Sequence, residues 1–199
     1  YPGYEYYMAV VKADCYGYRG NRVVQAMLDG GANCLAASLL EEGLILREEF
    51  PHIPILLFTP VPKAQLPLCV QNNLWVTVAN IQQAQDAANV SGLHVVIRAN
   101  GGSDIFGGPT TRDGFEQIWN TLIAGECTLT GIYLHSYNAK DTQDTQQEYD
   151  TFERITAGVD LSVLKLISLS NSLSLPRYDK KPYCNACRLG NILYRIESD

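Results

Sequence analysis

Positive charge is scarce in this sequence. Lysine and arginine number 15 against 21 aspartate and glutamate residues, a net charge of -6. No basic cluster occurs either, which argues against nucleic acid as the main partner. No apolar run approaches the roughly 18 residues expected of a membrane-spanning helix. Internal repeats, low-complexity tracts and interior linkers are lacking, so the 199 residues read as one domain with a sizeable core. The opening, Tyr1-Pro-Gly-Tyr-Glu, is neither an initiator methionine nor a signal peptide, and it reads as the start of a trimmed chain or fragment.

Cysteine is not scarce, but its placement speaks against disulfide or metal work. Several of the six cysteines sit in apolar strand contexts, where a free thiol serves as a small core hydrophobe. Cys184-Asn-Ala-Cys187 is a lone Cys-x-x-Cys without the two further ligands that zinc ordinarily needs. Reduced thiols and a cytoplasmic setting are the expectation. The glycosylation sequon at Asn89 is set aside for want of a secretion signal.

Short apolar runs alternate with helical patterns along the whole chain. Strands are expected at 8–12, 34–38, 55–58, 74–78, 94–98, 129–135, 163–169 and 183–188. Helices are expected at 21–29, 39–49, 63–71, 81–89, 112–123 and 143–156. The alanine- and glutamine-rich stretch from Ile81 to Ala88 is a good helix former. Strand-helix alternation implies parallel strands with helical crossovers. Eight such units predict an α/β fold of the parallel (β/α)8 barrel type, compact and trimmed at both ends, with no clear helix between the last two strands. Functional groups of such a barrel cluster at the C-terminal ends of its strands, and phosphate sites follow strands seven and eight.

Lys12 lies at the end of the first apolar run, in Met8-Ala-Val-Val-Lys-Ala-Asp-Cys-Tyr-Gly-Tyr18. Burial favours the neutral amine, which is a nucleophile toward carbonyl compounds. The alternative from these residues alone is a strand-end lysine reaching solvent. Later segments bear on that choice: Gly30-Gly-Ala-Asn-Cys-Leu-Ala-Ala-Ser-Leu-Leu-Glu-Glu-Gly43, Gly131-Ile-Tyr-Leu-His135, Leu169-Ser-Asn-Ser172 and Arg188-Leu-Gly-Asn-Ile-Leu-Tyr194. In order and spacing they resemble the motifs of the alanine racemase family, over the full length of the chain.

The resemblance implies a pyridoxal 5'-phosphate (PLP)-dependent amino acid racemase. Lys12 would hold the cofactor as an internal aldimine and act as a base on the Cα proton. Tyr16, Asn171, Ser172, Gly190 and Asn191 would serve the phosphate, the last two through backbone N–H groups opening a short helix. Arg188 would face the pyridine nitrogen. Because arginine stays charged, that nitrogen would remain unprotonated and the ring a weaker electron sink. His135 would sit beside the ring. Further implications are a small amino acid substrate, a homodimer in the full-length protein, and a C-terminal β-domain whose tyrosine acts as the second acid/base. This sequence ends before any such domain, so poor racemisation is expected from it alone. An aldolase or decarboxylase on the same scaffold, and a PLP carrier without turnover, are the alternative readings.

One segment departs from the family. Arg98-Ala-Asn-Gly-Gly-Ser-Asp-Ile-Phe-Gly107 places Ile105 where the family has an arginine that contacts the substrate carboxylate, and Arg98 where some members have a modified lysine. Isoleucine cannot bind a carboxylate. Arg98 is therefore the candidate to supply that charge from another strand position.

Overall fold

The computed structural model describes residues 3–102, 107–137 and 139–196. Eight strands are present: β1 (Tyr6–Val10), β2 (Cys34–Ala37), β3 (Ile55–Leu57), β4 (Leu74–Val78), β5 (His94–Ala99), β6 (Thr128–Leu134), β7 (Leu166–Ser168) and β8 (Ala186–Leu189). The helices are α1 (Lys12–Tyr16), α2 (Asn21–Asp29), α3 (Leu40–Glu49), α4 (Leu66–Gln71), α5 (Ile81–Ala88), α6 (Arg112–Ile123) and α7 (Thr142–Thr156). Every strand pairing is parallel, in the order β7-β6-β5-β4-β3-β2-β1-β8. The result is the expected barrel, nearly closed.

Strand parity divides the core into two layers, because successive side chains point to opposite faces. Met8, Val10, Cys34, Ala36, Leu56, Trp75, Val96, Tyr133, Leu166 and Ala186 fill the lumen. Their strand neighbours, such as Ala9, Leu35, Leu57, Val76, Ile97 and Ile132, face outward and pack with helix residues including Val24, Leu46, Phe115 and Phe152. The same parity turns Arg98 and Arg188 inward, two positions beyond Val96 and Ala186.

The seam between β7 and β8 is closed by few bonds. Asn171 and Arg188 form an isolated parallel bridge, and the Arg188 N–H donates to Ser170 O at 3.0 Å. Asn185 does much of the rest. Its Oδ1 accepts from Ile167 N–H (2.8 Å), its Nδ2 donates to Lys165 O (2.9 Å), and its backbone N–H donates to Ile167 O (3.2 Å). One side chain thus replaces missing ladder bonds of a short strand.

Several elements differ from the sequence expectation. The first strand is Tyr6–Val10 and not 8–12, so Lys12 stands past its end and opens α1, a turn the sequence does not suggest because its left-handed backbone is imposed by its surroundings. The seventh strand begins at Leu166, because Asp160 caps a 3₁₀ turn over Leu161–Val163, accepting from Ser162 N–H and Oγ–H (2.9 and 2.6 Å). The eighth begins at Ala186, since Asn185 is spent on the seam. The 63–71 helix is a 3₁₀ turn (Lys63–Gln65) followed by α4, because Pro67 is tolerated only in a helix's first turn.

Asn185→Ala should cost about 1–3 kcal/mol by leaving Ile167 N–H and Lys165 O without their partner. Urea unfolding followed by circular dichroism measures it. An unchanged midpoint would mean that the seam does not depend on this side chain.

Candidate active site

Lys12 lies two residues past β1 and opens α1, a single turn of left-handed helix. Ala13 (φ 50°, ψ 50°), Asp14 (49°, 55°), Cys15 (57°, 48°) and Tyr16 (φ 55°) all carry positive φ before Gly17 ends the turn. This conformation costs L-residues roughly 1–2 kcal/mol each, so the surroundings must hold it. Asp14 Oδ1 accepts from Gly20 N–H at 3.1 Å, and Val11 N–H donates to Ala36 O at 2.8 Å. Tyr194 stacks against the turn, its ring 4.7 Å from that of Tyr16, while its hydroxyl donates to Val10 O at 3.0 Å.

At the C-terminal end of the barrel lies a cavity of about 430 Å³. Lys12, Tyr16, Arg98, His135, Asn171, Ser172, Arg188, Gly190 and Asn191 all line it. Arg188 is buried. It donates to Ser168 Oγ (3.2 Å), to Leu134 O and to Leu169 O (3.4 Å), and contacts His135 Nδ1 at 3.3 Å. Its guanidinium lies 5.0 Å from the centre of the Tyr133 ring, and that of Arg98 lies 5.9 Å from it.

His135 follows β6 directly. Burial, and then the positive charges of Arg188, Arg98 and Lys12, push its pKa down to about 3. The imidazole is therefore neutral. With the guanidinium donating to Nδ1, the ring proton belongs on Nε2. A wall with Lys12, Arg98 and Arg188 and a neutral histidine favours an anionic occupant.

Beyond β7 and β8 the hydroxyls converge. Gly190 N–H donates to Ser172 Oγ at 2.8 Å, which leaves the serine O–H available to a ligand. A Cβ on Gly190 would lie 2.7 Å from Tyr16 Oη, so a larger residue there would push the Tyr16 hydroxyl out of place. Burial raises the Tyr16 pKa, keeping the phenol protonated and able to donate. The amide of Asn171 is used internally: Oδ1 accepts from Leu173 and Ser174 N–H (2.9 and 3.0 Å), and Nδ2 donates to Ser136 O (3.1 Å). Asn191 opens a 3₁₀ helix of four residues, Asn191–Tyr194, too short for a substantial dipole.

Sequence reasoning passed over Tyr133, Ser38, Phe58, Thr59 and Ser136, which also line the cavity. Tyr133 was visible by parity, two positions before His135. Ser136 Oγ is buried with no hydrogen-bond partner among the described residues. Ile105 lies outside the described residues. Among those residues no His/Cys/Asp/Glu group could hold a metal, and no helix is long and apolar enough to cross a membrane.

The model of the alanine racemase N-terminal domain matches residues 4–198. The chain belongs to the alanine racemase family. It is 27% identical to alanine racemase 1 of Bacillus subtilis (strain 168) over 198 residues, covering 95% of this chain and 49% of that protein. It is 31% identical to the alanine racemase of Streptococcus suis (strain 98HAH33), covering 94% and 52%. The chain thus spans about half the length of these relatives. Among solved structures, alanine racemase from Bacillus anthracis with bound L-Ala-P superimposes with a TM-score of 0.86 at 26% identity, covering 98% of this chain and 52% of that one. The histidine racemase of Leuconostoc mesenteroides subsp. sake shares the fold, with a TM-score of 0.84 at 18% identity, covering 98% and 56%.

The depressed histidine gives a pH signature. Below its ordinary value of 6.5 the unfolded chain binds a proton that folded His135 refuses, so this contribution to stability falls as pH drops from 6.5 toward 3. Unfolding titrations should show about 2 kcal/mol lost from this group between pH 6.5 and 5, absent in His135→Asn. Equal slopes for the two proteins would refute the assignment.

Proposed function

We propose that this barrel is the cofactor-binding, lysine-bearing part of a PLP-dependent amino acid racemase of the alanine racemase type. The observation that carries the reading is the meeting of three kinds of group in one cavity. They are a lysine amine on a strained turn, hydroxyl donors gathered around a glycine that leaves no room for a Cβ, and a buried arginine at the top of β8. The donor set fits PLP. An aldehyde needs the Lys12 amine. A phosphate needs donors, which Ser172 and Tyr16 supply beside Gly190, and the orphaned Ser136 hydroxyl adds another. Asn171 holds the turn that presents Ser172, and Asn191 borders the same subsite.

When bound, PLP supplies a carbonyl that captures amino groups and a conjugated ring that draws electrons from Cα. The protein residues do the rest. Arg188 would face the ring nitrogen, where its fixed positive charge would discourage protonation and restrain side reactions. His135, neutral, would sit beside the ring without adding charge. Lys12 removes or returns the Cα proton on its own face. Arg98 turns inward from β5 and meets the substrate carboxylate. Racemisation needs a second acid/base on the opposite face. By family resemblance, a tyrosine of a C-terminal domain in a homodimer provides it.

Two measurements test this reading. Incubation with PLP should give a visible absorption band that Lys12→Ala abolishes while its circular dichroism stays that of the parent. No band in the parent would sink the proposal. In the full-length protein, exchange of the Cα hydrogen of L-alanine with deuterated water, the carbon skeleton intact, separates racemase from lyase.

Arg98 has its own signature. Arg98→Ala should raise KM for the amino acid about tenfold or more, the worth of one hydrogen-bonded charge pair, with PLP affinity unchanged. Arg98→Lys should recover part of the loss. An unchanged KM in Arg98→Ala would assign the carboxylate to another group.

A further inference from the structure

We propose that Glu42 is a positioning residue for the Lys12 amine; the inference rests on reading Lys12 as the cofactor lysine. Glu42 is the third residue of α3, and part of its work is ordinary. Its Oε2 accepts from Ser38 and Leu39 N–H (2.8 and 3.0 Å), satisfying donors at the start of its own helix. The other oxygen does something a helix cap does not require. Oε1 accepts from Ala13 N–H at 2.6 Å, across 29 residues of sequence.

That N–H belongs to the peptide joining Lys12 to Ala13, the first residue of the left-handed turn. The carboxylate therefore grips the backbone at the lysine itself, where the chain leaves β1 and enters its costliest conformation. The bond is charge-assisted, roughly twice as strong as a neutral one. Through Ser38, which lines the cavity with Lys12, the same carboxylate fixes the ends of β1 and β2 to each other. Release of Ala13 would let the turn relax toward ordinary right-handed backbone and carry the lysine stem with it. The phosphate donors beyond β7 and β8, Ser172 above all, would stay in place, while Tyr16, on the same turn, would shift with the lysine.

A glutamine at 42 offers one acceptor oxygen and turns an NH2 donor toward N–H groups, so it cannot serve all three. An aspartate can still cap the helix but is one methylene too short to keep Ala13 as well. The test is made on the full-length protein. PLP is added, and the bond formed as the Lys12 amine condenses with the aldehyde, losing water, is fixed with borohydride. Hydride adds to the former aldehyde carbon and a solvent proton to nitrogen, giving a secondary amine that peptide mass spectrometry counts. Asn80→Ala serves as control, because Asn80 Oδ1 caps α5 by accepting from Gln83 N–H at 2.9 Å, away from the cavity.

Glu42→Gln and Glu42→Asp should each slow capture at Lys12 about tenfold and lower kcat more than they raise KM, as expected when a reacting group is misplaced. Binding of PLP to Lys12→Ala should weaken far less than tenfold when Glu42→Gln is added, because Ser172 stays in place and only Tyr16 shares the turn. Asn80→Ala should lose comparable stability yet capture PLP at the parent rate. Parent-rate capture by both Glu42 variants would overturn the proposal, as would an equal slowing in Asn80→Ala. Should Glu42→Gln fail to fold, Glu42→Asp, which retains the cap, decides alone. If the parent itself is never trapped at Lys12, the cofactor reading falls and this inference falls with it.

Discussion

The mouth of the barrel is organised around one buried guanidinium. Arg188 cannot lose its proton, and it is almost fully removed from solvent. Its donors must therefore find acceptors wherever the fold allows. They find them on Ser168 and Leu169 at the end of β7 and on Leu134 at the end of β6, with Tyr133 beneath. Three strand ends are thereby held at fixed spacing at the place where the sheet has fewest ladder bonds. The same charge contributes to holding His135 neutral, so the architecture of the seam and the electrostatics of the cavity share a cause. Removing the charge would loosen both at once.

A second constraint lies on the opposite wall. Four non-glycine residues in left-handed conformation are a concentration of strain that an unsupported loop would not keep. Each support comes from a different element: Asp14 within the loop, Glu42 from α3, and Tyr194 from the 3₁₀ helix after β8. Tyr194 joins the two constraints, since it touches Tyr16 while bonded to the last residue of β1. The lysine is presented by a rigid assembly of the first, second and eighth βα units.

Much of this was legible in the sequence, for physical reasons that can be named. Period-two alternation puts Arg98 on the same face of β5 as Val96, and Arg188 on the same face of β8 as Ala186; both faces of these strands are apolar, so only the fold reveals that the shared face is the lumen. Gly190 after the eighth strand and His135 after the sixth fall where barrel geometry puts functional groups. What escaped was carried by single side chains acting on backbone. Ala13, Asp14, Cys15 and Tyr16 give no local sign of positive φ, which is imposed from outside. Asn185 stands in for a strand, and Asn171 spends its amide on its own turn. Both look like ordinary polar loop residues in sequence. Glu42 reads as a helix-start glutamate, and its second oxygen has a partner that only the fold reveals.

The cavity's charge pattern also bears on how stability and ligand binding are linked. Lys12, Arg98 and Arg188 line one space and all depress His135, evidence that their fields overlap inside the barrel. Like charges at that range repel, and the low dielectric of the mouth amplifies the cost. An occupant bearing a phosphate and, with substrate, a carboxylate would relieve that repulsion and brace the β7 and β8 loops against the Lys12 turn. Binding only the folded state, such an occupant stabilises the fold by an amount that grows with the logarithm of its concentration over its dissociation constant. The strained turn, the buried guanidinium and the neutral histidine would then be parts of one arrangement, in which an anionic occupant offsets the local strain and repulsion.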